Sequence, residues 1–183
     1  MEPQPVFADM IEKHLTSRLK GFECAAVGAT KGEARLRISR RHPTVSTVSE
    51  RFIEGVSHAE EFRDVVWDRE VPVAMTTLDR LIEKYGTPAF CKIDVEGAEA
   101  DILRGLSSPL RLVAFEYIPA LPEIALEAIG LLEGLGSYRF NRMVGERHRF
   151  ANEEWQDAAT VIGDLSSLAP GDPSGDVYAR LAT

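Results

Sequence analysis

Apolar residues recur at two spacings along this chain, and segments with the two spacings alternate. A spacing of three or four residues predicts helices, whereas short apolar runs or strict alternation predict strands. The predicted helices cover 5–19, 78–85, 98–106 and 122–135, with two further short helices near 57–63 and just after Asn152. The predicted strands cover 22–29, 34–38, 71–74, 89–95, 110–117, 138–143, 147–150 and 176–181. Strands that alternate with helices predict an α/β fold, in which a mainly parallel sheet carries flanking helices.

Residues 40–70 follow neither period for long. The segment contains Pro43, Gly55 and many serine and threonine residues, and we predict that it is the least regular part of the chain. The two strands before it flank a turn at Thr30-Lys31-Gly32, which predicts a hairpin.

Composition places the chain among ordinary globular proteins. It has 183 residues, of which 44% are hydrophobic and 27% charged, and these values predict one domain over residues 1–183. No stretch approaches the roughly 18 uninterrupted apolar residues of a membrane helix, and the first residues lack a signal-peptide pattern. Two cysteines are too few for a disulfide framework. We therefore expect a protein of the reducing cytoplasm without a membrane partner.

Charge and missing motifs exclude several classes of function. The chain has 21 basic and 29 acidic residues, and its net charge of −8 disfavours nucleic acid as a partner. It contains no glycine-rich phosphate loop and no GxSxG nucleophile elbow, and its four histidines lack the spacing of metal ligands. Residues 31–42 form a local basic cluster. Two interpretations of it remain open: the solvated face of the hairpin, or a clamp for an acidic or phosphorylated small substrate.

Acidic residues stand where ligands bind in an open α/β sheet, at the carboxyl ends of strands. Asp94 stands at the end of the fourth predicted strand, Glu96 comes two residues later, and Glu116 ends the fifth strand. Glu2 precedes the first helix. Each carboxylate taken alone also fits a helix cap or a solvated loop, but several at one edge predict a crevice for a ligand. Lys92, within the same strand as Asp94, either exits to solvent or forms an ion pair that orients a site carboxylate.

Several motifs together carry a family resemblance. The run from Lys92 to Glu99 reads Lys-Ile-Asp-Val-Glu-Gly-Ala-Glu, Thr77-Leu78-Asp79 precedes it, and Ile102 to Leu106 follows as Ile-Leu-Arg-Gly-Leu. These motifs, with Val113 to Glu116 and the closing 175–179, resemble the FkbM-type methyltransferases. The resemblance implies a Rossmann-like class I domain that transfers a methyl group from S-adenosylmethionine to the hydroxyl of a small molecule or sugar.

The resemblance also implies roles for the acidic residues. Asp94, Glu96 and Glu116 would form the catalytic group, in which Asp94 or Glu116 orients or deprotonates the acceptor hydroxyl. Glu2 would hydrogen-bond the cofactor ribose, as the acidic residue after the second strand does in dinucleotide folds. Val27 and its neighbours would line the adenine, and the segment 31–70 would cover the substrate.

One departure from the family pattern is large. The family begins with a strand, a glycine loop, a helix and a second strand, and this chain lacks the first strand, the loop and most of the second strand. We therefore expect a partial domain that binds S-adenosylmethionine weakly and exposes strand edges, through which it forms a homo-oligomer. Residues 22–29 would pair directly with 89–94, stand apart, or recruit another chain.

Two other functions remain open. The chain could be a non-catalytic truncated remnant that acts at most as an interaction module. A metal-assisted enzyme is the other alternative, because Asp94 and Glu116 offer oxygen ligands for a hard cation.

Overall fold

The computed structural model describes residues 1–145, 147 and 149–182. The described residues form six α-helices and seven β-strands. The helices are α1 (Pro5–His14), α2 (Glu50–Val56), α3 (Leu78–Tyr85), α4 (Glu99–Arg104), α5 (Pro122–Leu135) and α6 (Ala158–Ser166). The strands are β1 (Ala26–Val27), β2 (Gly32–Ile38), β3 (Arg69–Thr76), β4 (Cys91–Ile93), β5 (Leu112–Tyr117), β6 (Tyr138–Val144) and β7 (Gly175–Leu181). None of these helices combines the length and the apolar character needed to cross a membrane.

The strands form two separate sheets with the orders β1-β3-β2 and β4-β5-β7-β6. Parallel pairing joins β1 to β3 and β4 to β5, whereas β2–β3, β5–β7 and β6–β7 are antiparallel. The α/β class is confirmed, but the prediction of a mainly parallel sheet is wrong. Hydrophobic periodicity identifies a strand without its direction, and β7 enters the second sheet between β5 and β6 in the reverse sense.

The hairpin predicted around Thr30-Lys31-Gly32 does not form. The strand β3 lies between β1 and β2, and its register with β2 runs from Gly32 opposite Met75 to Ile38 opposite Arg69. Glu70 near the start of β3 lies opposite Arg37 of β2, and this pair of opposite charges favours the observed pairing.

The basic cluster is largely neutralised by this pairing. Arg37 donates to Glu70 at 2.9 Å, and Arg35 donates to the same carboxylate. The Nε of Arg40 lies 2.7 Å from the carboxylate of Asp68. Three of the arginines are therefore ion-paired at the surface, which favours the solvated face over the substrate clamp.

Local signals predicted the helices well. Thr77 caps α3 by accepting a hydrogen bond from the backbone N–H of Arg80 at 3.3 Å. The first helix ends at His14 rather than at 19, followed by a short 3₁₀ turn. In 40–70 the structure has loops, α2, two 3₁₀ turns and the start of β3, so the predicted low regularity is confirmed. One of those turns, Glu60–Phe62, stands where a short helix was predicted.

The predictions near the C-terminus need correction. The helix expected after Asn152 does not form, because the Asn152 backbone carbonyl accepts from the buried Asn141 side chain at 2.9 Å. The helix α6 begins later, capped by Asp157. The predicted strand 147–150 lies partly outside the described residues, and Phe150 makes an isolated bridge with Met143.

The two sheets have hydrophobic cores of very different size. The larger core lies against β4, β5, β7 and β6 and includes fully buried Phe115, Phe140, Leu103 and Ile129. The three-stranded sheet has a small cluster of four buried residues, which are Ala26, Leu36, Ile38 and Val73. The second sheet is therefore the better-packed part of the molecule.

A gap separates β1 from β4. These strands belong to different sheets, so residues 22–29 do not pair directly with 89–94, and β1 instead pairs with β3. A cavity of about 620 Å³ occupies the gap, lined by Val27 of β1, by Cys91–Ile93 and by the apolar face of α3. Phe90 beside it is 46% exposed. The facing edges of β1 and β4 have no strand partner among the described residues.

Candidate active site

A cleft of about 280 Å³ opens beside β1 and at the carboxyl end of β4. Its walls include Glu2, Val27, Asp94 and Glu96, so the structure brings together four of the residues singled out from the sequence. Met1, Val27, Asp94 and Val95 also line the larger gap, so the cleft and the gap adjoin. The fifth residue, Glu116, is not among the residues that line the cleft.

Glu116 nevertheless belongs to the same group of carboxylates. One carboxylate oxygen each of Asp94, Glu96 and Glu116 lies within 4.8 Å of the others. The parallel pairing of β4 and β5 sets Ile93 opposite Phe115, so Asp94, just after β4, and Glu116, near the end of β5, lie at one edge. Asp94 is exposed, whereas Glu96 and Glu116 are half-buried.

Burial raises the pKa of two of these carboxyl groups. Burial and then the charges of Asp94 and Glu99 raise the pKa of Glu96 to about 7. Burial and then the charge of Glu96 raise the pKa of Glu116 to about 8. The Oε2 atom of Glu116 is buried and has no hydrogen-bond partner in the described part of the chain. A carboxyl group that titrates near neutral pH can take up and release a proton during a reaction.

A strained backbone positions Glu96. Its φ is +55°, the only positive φ at a non-glycine position within the described residues. Gly97 follows with φ +92°, and a Cβ there would lie 2.4 Å from the Cβ of Phe52 in α2. The left-handed pair turns the chain sharply between β4 and α4, and strain of this kind concentrates at functional sites.

The side chain of Glu99 stabilises the same turn. Its buried carboxylate accepts hydrogen bonds from the backbone N–H groups of Val95 at 3.4 Å and Gly97 at 3.2 Å. The sequence analysis named Glu99 only as the last residue of the motif that begins at Lys92 and gave it no task in this turn.

Lys92 forms ion pairs on the outer face of β4. Its Nζ lies 3.4 Å from the Asp94 carboxylate, and it also donates to Asp176. The sequence analysis missed Asp176, whose place becomes evident only from the register of β7, where it lies opposite Glu116. Lys92 therefore contacts a site carboxylate, as one of its two interpretations required.

The N-terminal segment forms another wall of the cleft. The Glu2 carboxylate accepts from the backbone N–H of Gln4 at 2.7 Å. Gln4, which the sequence analysis did not mark, is buried and donates to the carbonyl of Pro43 at 3.0 Å and to Ser46 at 3.2 Å. These bonds attach the chain start to the predicted substrate-cover segment.

The cleft suits part of S-adenosylmethionine. A carboxylate at Glu2 beside the apolar wall of Ala26, Val27 and Leu36 has the chemistry that a ribose and an adenine require. The volume of about 280 Å³ is slightly below the roughly 300–1,000 Å³ of typical ligand pockets. The residues present therefore fit the nucleoside end, whereas the adjoining gap lies open.

The fold and the cleft define an α/β protein with a carboxylate-lined cleft at the carboxyl end of a strand, where open α/β sheets bind ligands. A family model described as the methyltransferase FkbM domain matches residues 1–168. The chain belongs to this family of methyltransferases. Searches of curated proteins and of solved structures gave no match.

Proposed function

We propose that this protein transfers a methyl group from S-adenosylmethionine to the hydroxyl of a small molecule or sugar. The observation that carries the proposal is the pair Glu96 and Glu116, whose raised pKa values suit proton transfer near neutral pH, beside an apolar cleft. Membership of the methyltransferase family supports the reaction type.

The chain's own residues have distinct tasks in this proposal. The cofactor, when bound, supplies an electrophilic methyl group. Glu2 would accept a hydrogen bond from the ribose, and Val27 would pack against the adenine. Ionised Glu116 would take the proton that the acceptor hydroxyl gives up when its oxygen receives the methyl group. Asp94 orients the hydroxyl, and both effects depend on alignment of the reacting atoms.

The segment 31–70 covers the acceptor in this proposal. Its residues 43, 44 and 46–48 line the cleft opposite Asp94 and Glu96. Hydrogen bonds from Gln4 and from Thr47 connect the segment to both sides of the cleft.

We also propose that this chain binds S-adenosylmethionine weakly because the gap between β1 and β4 is unfilled. Residues of the edge strands β1 and β4 line one cavity of about 620 Å³, and such unpaired strand edges suit additional strands. An upstream-extended polypeptide is the occupant we propose, and a second copy of the chain is the alternative. A turn between such strands would supply backbone N–H groups to the methionine end of the cofactor.

Calorimetry with S-adenosylmethionine tests the binding proposal. We expect weak or undetectable binding to the 183-residue chain and a dissociation constant near the micromolar range, about −8 kcal/mol, for an upstream-extended chain. Micromolar binding by the unextended chain, shown by light scattering to be a monomer, would contradict the need for added strands. Micromolar binding by a dimer would identify the second copy as the occupant.

A methyl-transfer assay tests the reaction. The chain that binds cofactor is incubated with methyl-labelled cofactor and a panel of hydroxyl acceptors, and labelled product is counted. Glu116→Gln should reduce the rate on the order of 10²-fold or more, since it removes the base. Glu133→Gln, at an exposed position on α5, is the matched control and should leave the rate unchanged. Cofactor binding without transfer to any acceptor would favour the non-catalytic interaction module.

A further inference from the structure

The turn that carries Glu96 is held by a residue of another element. Thr47, buried in the segment between β2 and α2, donates from Oγ1 to the backbone carbonyl of Glu96 at 2.6 Å. The same hydroxyl accepts from the N–H of Ser49 at 2.9 Å. Both capacities of the hydroxyl are therefore used, and its direction is determined.

Thr47 is itself firmly placed. Its backbone N–H and carbonyl pair with Arg37 of β2 at 3.0 and 2.7 Å. Two residues later, Ser49 caps α2 by accepting from the N–H of Phe52 at 3.1 Å. Phe52 then packs where a side chain on Gly97 would have to lie. One short segment thus contacts both left-handed residues of the turn.

The bond matters because Glu96 has an unfavourable backbone conformation. A non-glycine residue with positive φ costs roughly 1–3 kcal/mol and persists only where surrounding contacts determine it. A bonded carbonyl locks the peptide plane after Glu96. The side chain then lies with its oxygen within 4.8 Å of those of Asp94 and Glu116.

We propose that Thr47 is a positioning residue for the methyl-transfer site, whose hydroxyl holds the Glu96 carbonyl and thereby directs the Glu96 carboxyl towards Asp94 and Glu116. The inference rests on the proposed function for its kinetic consequence, whereas its structural consequence is independent of it. The predicted cover segment would then have a second task, because it supports the catalytic turn as well as enclosing the acceptor.

The charged groups around Glu96 come from four elements. They are Lys92 and Asp94 of β4 and its turn, Glu99 of α4, Glu116 of β5 and Glu61 of the cover segment. Most of these groups are acidic. A Glu96 carboxyl that left this position would be more exposed to water and farther from their negative charges, so its pKa would fall. The titration of Glu96 therefore reports whether the turn is held.

Three variants of the full chain separate positioning from simple stability. Thr47→Val removes the donor at nearly constant volume, and Thr47→Ser retains it. Ser39→Ala removes another buried hydroxyl, which accepts from His42 at 3.2 Å away from the turn. Carboxyl carbon NMR follows the titrations, with Glu96→Gln and Glu116→Gln chains to assign the two signals.

We expect T47V to lower the pKa of Glu96 from about 7. In T47S and S39A the pKa of Glu96 should equal that of the wild type. In the methyl-transfer assay the rate of T47V should be roughly 10- to 100-fold below that of the wild type, whereas T47S, which keeps the hydroxyl, should have a rate near that of the wild type. A folded T47V chain whose Glu96 titrates as in the wild type would overturn the proposal, even if no acceptor is ever methylated. Should T47V not fold, Thr47→Cys, a weaker donor, should lower the pKa less, and an unchanged value there would equally overturn it.

Discussion

Two half-buried carboxyl groups, Glu96 and Glu116, keep their protons to nearly neutral pH because water reaches them poorly and neighbouring carboxylates repel a second charge. Strand-end positions in the sequence predicted that Asp94, Glu96 and Glu116 would lie together. The raised pKa values could not be predicted, because they depend on the depth of burial. The pairing of Lys92 with Asp176 likewise depends on the register of β7.

The raised pKa of Glu116 makes stability depend on pH. The unfolded carboxyl loses its proton near 4.5, whereas the folded one keeps it to about 8. Its contribution is fully present below pH 4.5 and is lost as the pH rises through 8. Glu116→Gln should therefore flatten the fall in melting temperature between about pH 5 and 8 and make the chain several degrees more stable at about pH 9. A wild-type melting temperature that rises over this window would contradict the burial argument.

Lys92 opposes this effect, because its positive charge lowers the pKa of Glu116. Lys92→Met should raise that pKa further and move the pH at half-maximal activity upward. A rise of half a unit would reduce the ionised fraction, and hence the rate at about pH 7, by about threefold. Lys92→Arg keeps the charge and should leave the profile near that of the wild type. A Met variant with an unshifted profile would show that Glu116 is not the titrating base.

The sequence predicted where helices and strands lie along the chain better than it predicted which strands pair with each other. The helical period and the caps located α3 and α5 to the residue, since those signals are local. The direction of β7 and the insertion of β3 beside β2 depend on contacts between residues far apart in the chain. Strand lengths also differ: the apolar run 22–29 forms a strand over Ala26–Val27 alone, which pairs with the last two residues of β3.

The turn between β4 and α4 allows a direct test of backbone geometry. Gly97→Ala combines a φ of +92° with a Cβ that would overlap Phe52, so it should destabilise the chain by about 2–4 kcal/mol in urea unfolding. Gly130, on the exposed side of α5, has open space where an alanine Cβ would lie, with no neighbouring atom within 4 Å. Gly130→Ala should stabilise by about 0.5–1 kcal/mol. Equal effects of the two substitutions would contradict the crowding at Gly97.

The whole molecule consists of two sheets that share no strand pairing in the described ranges. Several apolar side chains are exposed, including Val6 and Met10 of α1 and Phe90 next to the gap. Surfaces of this kind favour association at high concentration. Residues 22–29 do not pair directly with 89–94, which was one of the arrangements left open for them.

The unequal cores of the two sheets imply that the native state does not open as one cooperative unit. Amide hydrogens of β2 and β3, which rest on a cluster of four buried residues, should exchange with deuterium through a partial opening. Those of β5 and β7, beside the large core, should exchange only when the whole chain unfolds. Equal protection of all four strands would identify a single cooperative unit. If the three-stranded sheet opens first, Thr47 and the wall of the cleft move away with it. The turn that carries Glu96 would then lose its support while the larger hydrophobic core is still folded.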